Sequence, residues 1–200
     1  MMNLFRGRSS GENPWFIHRT SPILIKTRAR PGTNVKEIWA EGDLRAAPSD
    51  IQRTLYDLER FTQFMPYITE AHEVGTREPD GSRYTYSRLD LPVLSPRDFV
   101  HRVYVDRDAG TDPSGVFASH WFSVPTKIPE RRSVVRLQIS EGSWLVTPLP
   151  GGESSHVIYC ICADPAGSLP AFAINRANAS GISDTFDNIE REARKRRGPA

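Results

Sequence analysis

The stretch SLPAFAINRANASGISDTFDNIEREARKRR, Ser168 to Arg197, decides the architecture. Phe172, Asn175, Ala179, Ile182, Phe186 and Ile189 recur at spacings of three and four, which stacks them in one stripe of a helix. Ser168 is placed to N-cap that helix, Pro170 is tolerated in its first turn, and Gly198 and Pro199 stop it. Asp187/Arg191, Glu190/Arg194 and Glu192/Arg196 set acid before base at i,i+4 on the outer face. Such a helix would run roughly 45 Å at 1.5 Å per residue, more than one contact with a small core requires. Small residues crowd its middle: Ala177, Ala179, Ser180, Gly181 and Ser183. A glycine inside a helix costs on the order of 1 kcal/mol against alanine, so something has to pack close there. A strand is sufficient reason. The sharper reading makes this face the wall of a cavity, with Asn175 as its polar group.

Upstream, the hydrophobic period is two rather than three to four. After a lead over residues 1–14 and a first ordered segment near Trp15 to His18, Ile23 to Arg30 and Val35 to Leu44 read as a hairpin across Pro31-Gly32, with Glu41-Gly42-Asp43 an edge or turn. A helix interrupts: Ser49-Asp50-Ile51-Gln52 fits a capping box, Ile51, Leu55 and Leu58 share a face, and Pro66 ends it. Strands are then expected near 68–76, 83–91, 99–106, 115–124, 133–140, 143–149 and 156–163. The turns between them are Pro79-Asp80-Gly81, Asp108-Ala109-Gly110, Glu141-Gly142 and Pro150-Gly151-Gly152. Consecutive strands joined by tight turns make an antiparallel meander, and strands segregated from helices make an α+β domain. A sheet of about nine strands curls, and a long helix would cover its hollow. Two connections are not tight. Leu91-Pro92-Val93-Leu94-Ser95-Pro96 is apolar and proline-broken, suited to a gate at the rim, and Pro125 to Arg132 is longer and mixed in charge.

The chain has 200 residues, 38% apolar and 25% charged, enough for a core of its own. Its net charge is +2; Arg191 to Arg197 carries five bases and one acid, +4, leaving −2 for the rest. Those C-terminal bases complement a helix dipole, and could also touch an anionic membrane. Cys160 and Cys162 lie two apart and no zinc-type spacing exists, so no metal or other cofactor is expected. The first residues lack an apolar signal core and no apolar run approaches 18 residues, so the expected compartment is a reducing cytoplasm. Basic strands with interleaved aromatics are absent, which argues against nucleic acid.

Ser95-Pro96-Arg97-Asp98-Phe99-Val100 resembles the strand opening of START domains, the lipid-transfer domains related to the steroidogenic acute regulatory protein. Val135-Arg136-Leu137, Gly142-Ser143-Trp144 and Pro148 resemble that family's next strands. Tyr159, Asp164-Pro165-Ala166-Gly167-Ser168-Leu169-Pro170 and Asn175 resemble its entry into the C-terminal helix. The likeness covers roughly Trp15 to Arg197. It implies a helix-grip fold, a curved antiparallel sheet wrapped around a long C-terminal helix and enclosing an apolar tunnel. It implies a binding or transfer protein for one lipid-like molecule, with the 91–96 loop (Leu91, Pro92, Val93 and Leu94) as the gate beside that helix.

On that frame Phe99, His101, Val103 and Val105 alternate inward on one strand, and Val116, Ala118, His120, Phe122 and Val124 share a face of the next. The tunnel set is then Phe99, His101, Val103, Ala118, His120, Phe122, Tyr159, Phe172, Asn175, Ala179, Ile182 and Phe186. Polar residues on such a stripe are more often satisfied core groups than ligand contacts. Val103 stands where sterol-carrying members are expected to place a buried arginine paired with an acid. A charged phospholipid head would call for a buried arginine or an aromatic cage, and none is assigned. Arg136 reads as outward and structural, and Arg97 and Asp98 as ties between loop and strand. Arg191, Arg194, Lys195, Arg196 and Arg197 are the residues for transient membrane contact. The competing class is a helix-grip enzyme of polyketide cyclase or aromatase type using His101, His120, Tyr159 or Asn175. No catalytic motif accompanies them, which weighs against catalysis.

Overall fold

Alternation of buried and half-exposed residues carries the sheet. It is plainest in Ser140–Pro148, where Ser140, Gly142, Trp144 and Val146 are buried and the residues between them are not; in Ser155–Ala163 the phase shifts at Tyr159, so that Ser155, Val157, Cys160 and Cys162 are the buried ones. The structure, a computed structural model, describes residues 14–30, 35–92, 94–166 and 181–196. Among the described residues there are ten strands: β1 Phe16–Arg19, β2 Leu24–Ala29, β3 Lys36–Leu44, β4 Ile68–Val74, β5 Arg83–Leu89, β6 Arg97–Arg107, β7 Phe117–Ser123, β8 Val135–Arg136, β9 Ser140–Pro148 and β10 Ser155–Ala163. They form one sheet in the order β1-β2-β3-β10-β9-β7-β6-β5-β4, with β8 beside β6. Helix α1 spans Pro48–Tyr56, a 3₁₀ turn Leu58–Arg60, α2 Phe61–Phe64 and α3 Gly181–Arg196.

The meander is the one the sequence predicts, with two differences. The expected strand 133–140 exists only as β8, two residues pairing parallel with Arg97 and Asp98 of β6. The chain then crosses back to lay β9 beside β7. Glu141-Gly142 is not a turn but the inside of β9. A side chain at Gly142 would clash with the Cys160 carbonyl oxygen and the Trp121 ring, so the glycine marks close approach rather than a bend. Gly42 likewise lies within β3, against Ile23.

Helix α1 opens with Pro48 at its first position and no side-chain cap. The expected capping box does not form, because its acceptor has other work: Gln52 bonds the Asp108 carboxylate at 2.6 Å and accepts from the Ala109 amide at 2.7 Å. Ile51 and Leu55 face the core, and the helix breaks at Asp57 instead of reaching Met65.

On α3, Ile182, Phe186, Ile189 and Ala193 are all buried and join one core with Trp144, Val146 and Val157 of the sheet. Full burial of an aromatic such as Phe186 contributes roughly 1.5–3 kcal/mol. Ser168, Pro170, Phe172, Asn175 and Ala179, and the lead 1–13, lie outside the described residues. Of the expected i,i+4 pairs, Glu190 and Arg194 approach to 3.8 Å. Glu192 is buried, not on the outer face, and pairs with Arg60 at 2.5 Å and Lys195 at 3.2 Å. Arg196 pairs with Asp57 at 2.7 Å and Arg191 bonds Asn188 at 2.6 Å. With Asn188 donating to the Phe64 carbonyl at 2.7 Å, these contacts fasten α3 to the 56–65 segment.

Candidate functional site

Between the inner sheet face, the 55–68 segment and α3 lies a cavity of about 290 Å³. Its floor is set by strand register. One row across the sheet is Arg83, Val103, Trp121, Gly142 and Ile161; a neighbouring row is Ser119, Trp144 and Tyr159. The Trp121 ring reaches across β9 because Gly142 leaves room for it. Trp144 stacks on Tyr159 with centroids 4.0 Å apart. Leu55, Leu58, Phe61, Met65 and Thr185 close the side facing the helices.

Of the predicted inward set, Phe99, His101 and Val103 of β6 and Tyr159 of β10 line the cavity, whereas Val105 of β6 is 42% exposed and does not. The set is out by one residue on β7. Ala118, His120 and Phe122 point to the other side; Phe117, Ser119 and Trp121 point inward. The phase that buries the two larger aromatics won over the phase with more apolar letters. His120 pairs with Asp106 at 2.7 Å and stacks on Tyr104 at 4.8 Å on the outer face. Ile182 and Phe186 are buried in the core, Phe186 with its ring 6.2 Å from Trp144, while Thr185 is the α3 residue at the cavity. Leu91, Pro92 and Leu94 form a turn, closed by the Leu94 amide on the Leu91 carbonyl at 3.3 Å, and do not line the cavity; Leu89 does. Val93, Phe172, Asn175 and Ala179 lie outside the described residues.

Arg97 ties the loop to the strand as expected, donating to the Ser95 and Pro165 carbonyls. Arg136 is structural but not exposed: it is buried against Asp98 under residues 125–132.

Sequence reasoning missed the polar floor: Arg83, Thr85 and Ser87 of β5 point into the cavity while Tyr84 and Tyr86 point away. Arg83 sits directly opposite Val103, so a buried arginine is present one strand over from where it was sought. Its guanidinium carbon lies 4.5 Å above the Tyr56 ring, and its Nη1 bonds Glu73 and the Tyr56 carbonyl. Burial pushes the Tyr56 hydroxyl up to about 12, and that hydroxyl has no partner among the described residues. The indole N–H of Trp121 is also buried and unpartnered. His101 Nε2 lies 2.9 Å from Ser140 Oγ, its ring stacked on Phe99 at 4.6 Å. Burial lowers its pKa from 6.5 to about 3, so it is a neutral imidazole at physiological pH. No group of three or more metal-binding side chains occurs among the described residues.

The START domain family model matches residues 1–195. The chain belongs to the START domain family. It is 27% identical over 176 residues to the phosphatidylcholine transfer protein of Rattus norvegicus, covering 86% of this chain and 80% of that one. It resembles the STAR-related lipid transfer protein of Xanthomonas axonopodis, with TM-score 0.76, 24% identity, and 90% and 98% of the two chains covered. It also resembles human StAR-related lipid transfer protein 5, with TM-score 0.80, 16% identity, and 96% and 91% covered. The START domain of this chain is a helix-grip α+β fold: the large antiparallel sheet with its C-terminal helix, as the sequence predicts.

Proposed function

We propose that this START domain binds one lipid or other hydrophobic small molecule in the cavity and transfers it, with the 91–96 loop and the C-terminal helix as the gate. The observation that carries the reading is the cavity itself: a hollow between sheet and helix, walled by aliphatic and aromatic side chains with few polar groups, as ligand sites generally are. Burial of an apolar chain there would contribute roughly 25 cal/mol per Å². Its START-family relatives, a phosphatidylcholine transfer protein among them, support lipid as the ligand class. The C-terminal bases Arg191, Arg194, Lys195, Arg196 and Arg197 would touch an anionic membrane transiently. Pairing of three of them with Glu190, Glu192 and Asp57 keeps that contact weak. No described helix is long and apolar enough to cross a membrane, and the proposed compartment is the cytoplasm.

The alternative, an enzyme of polyketide cyclase or aromatase type, has the His101–Ser140 contact in its favour. An imidazole with a pKa of about 3 is, however, a poor proton acceptor near neutrality. Native mass spectrometry of the purified protein, followed by organic extraction, tests the reading. One lipid per chain is expected. Val103→Trp, which fills the middle of the floor, should fold, by circular dichroism, yet lose that lipid. A folded variant loaded like the wild type would sink the assignment of the cavity. A wild-type protein that takes up nothing from a mixed lipid pool would turn attention to turnover.

A further inference from the structure

The cavity wall carries one ionised side chain among its described residues, Arg83, and no carboxylate or lysine. Arg83 is only 7% exposed. Among the described residues its hydrogen bonds run from Nη1 alone, leaving the N–H groups of Nε and Nη2. Its acid partner Glu73 is 38% exposed and stands off the cavity wall, so among the described residues Arg83 is the charge that faces the hollow. The side chain stacked beneath Arg83 is Tyr56, whose buried hydroxyl has no partner.

We propose that the ligand of this cavity is a single-chain amphiphile with an oxyanion head, a carboxylate or a phosphate monoester, seated on the guanidinium of Arg83. The proposal rests on the lipid-binding reading above and adds the chemistry of the head. A planar guanidinium meets carboxylate or phosphate oxygens with two parallel hydrogen bonds, and such charge-assisted bonds are the strong ones. A neutral alcohol head would give the free N–H groups of Arg83 no charged acceptor, and a quaternary ammonium head would be repelled by the guanidinium. A volume near 290 Å³ stands at the low end for small-molecule pockets, which run from about 300 to 1,000 Å³, and suits one acyl chain.

The test is isothermal titration of the full chain with four probes that share one tail: dodecanoate, dodecyl phosphate, dodecanol and dodecyltrimethylammonium. At least one anion should bind tenfold or more tighter than dodecanol, and the ammonium weakest; which anion wins tells carboxylate from phosphate. Arg83→Gln should erase that preference, so that the anions bind no tighter than dodecanol. Arg83→Lys should keep part of it. Thermal melts establish that each variant is folded, and the wild-type ranking stands as a test even if Arg83→Gln is not. Equal binding of dodecanol and the anions overturns the proposal and leaves lipid binding intact, as does an anion preference that survives in folded Arg83→Gln. Failure of all four probes together with an empty protein after lipid exposure overturns both.

Discussion

Two buried arginines stand on opposite faces of the sheet, and they are wired differently. Arg136, 4% exposed, lies in the pocket under residues 125–132. It bonds Asp98 through Nε at 2.6 Å and Nη2 at 3.1 Å, and its two Nη atoms also reach the carbonyls of Pro125, Ile128 and Pro129. Five hydrogen bonds meet five N–H donors, and nothing is left to offer. Arg83, nearly as buried, spends Nη1 on Glu73 and Tyr56 and faces a hollow with the rest. Burial alone therefore does not distinguish a structural cation from a ligand-binding one. Saturation does. A saturated arginine fixes the backbone around it; an unsaturated one beside a cavity holds capacity in reserve.

The largest effect should come from breaking the saturated pair. Asp98→Ala leaves Arg136 charged and unmatched inside the protein, and removing one partner of a buried pair costs about 3–5 kcal/mol. Urea denaturation should show that loss, with much of it recovered in the double variant Asp98→Ala/Arg136→Met, since the two sites are directly coupled. An Asp98→Ala loss below about 1 kcal/mol would mean that the Arg136 guanidinium finds water in place of the carboxylate.

The inner face has its own titrating group. His101 has a pKa near 3 in the folded chain against 6.5 in the unfolded one. Between those values the unfolded chain binds the proton and the folded one does not. The stability this provides is fully present above about pH 6.5 and is lost as the pH falls toward 3, on the order of a few kcal/mol in all. His101→Gln should make the stability of the protein fall less between pH 7 and pH 4 than it does in the wild type. Parallel curves for the two proteins would place the imidazole in contact with water.

Much of this arrangement was legible in the sequence, and the parts that were not share a cause. Ile182, Phe186 and Ile189 announced the buried face of the C-terminal helix, and the alternation of Phe99, His101 and Val103 announced the inward face of β6, because in both places apolar residues mark the inside. Strand β5 inverts that rule. Arg83, Thr85 and Ser87 point in, and Tyr86 points out yet is fully buried, with Arg131 4.6 Å above its ring. A cavity needs polar groups within and a covered outer face needs aromatics without, and a two-residue period cannot tell that case from its opposite. Gly142 misled for a related reason, since glycine marks both turns and close approaches, and only the position of the Trp121 ring decides between them. The strand at 133–140 shrinks to the two residues of β8, which pair with Arg97 and Asp98 of β6 while the Arg136 side chain also reaches the carbonyls of Pro125, Ile128 and Pro129.

The smallest expected effect separates the two faces most cleanly. His120 stands one residue from Trp121 on β7, yet its imidazole meets Asp106 at 2.7 Å and lies flat on Tyr104, with 15% of its side chain exposed. A partly hydrated pair of this kind is worth about 0.2–1 kcal/mol, so His120→Ala should lower stability by no more than about that. It should leave the affinity for every dodecyl probe as it was, because the sheet backbone stands between it and the cavity. His101→Ala opens space beside Phe99 and removes the partner of Ser140, so the same truncation there should alter probe affinity at least several-fold. If His120→Ala changed ligand affinity as His101→Ala does, the register of β7 would have to slip by one residue. Trp121 would then leave the cavity, Gly142 would lose its reason, and the inner face would have to be rebuilt from β7 outward.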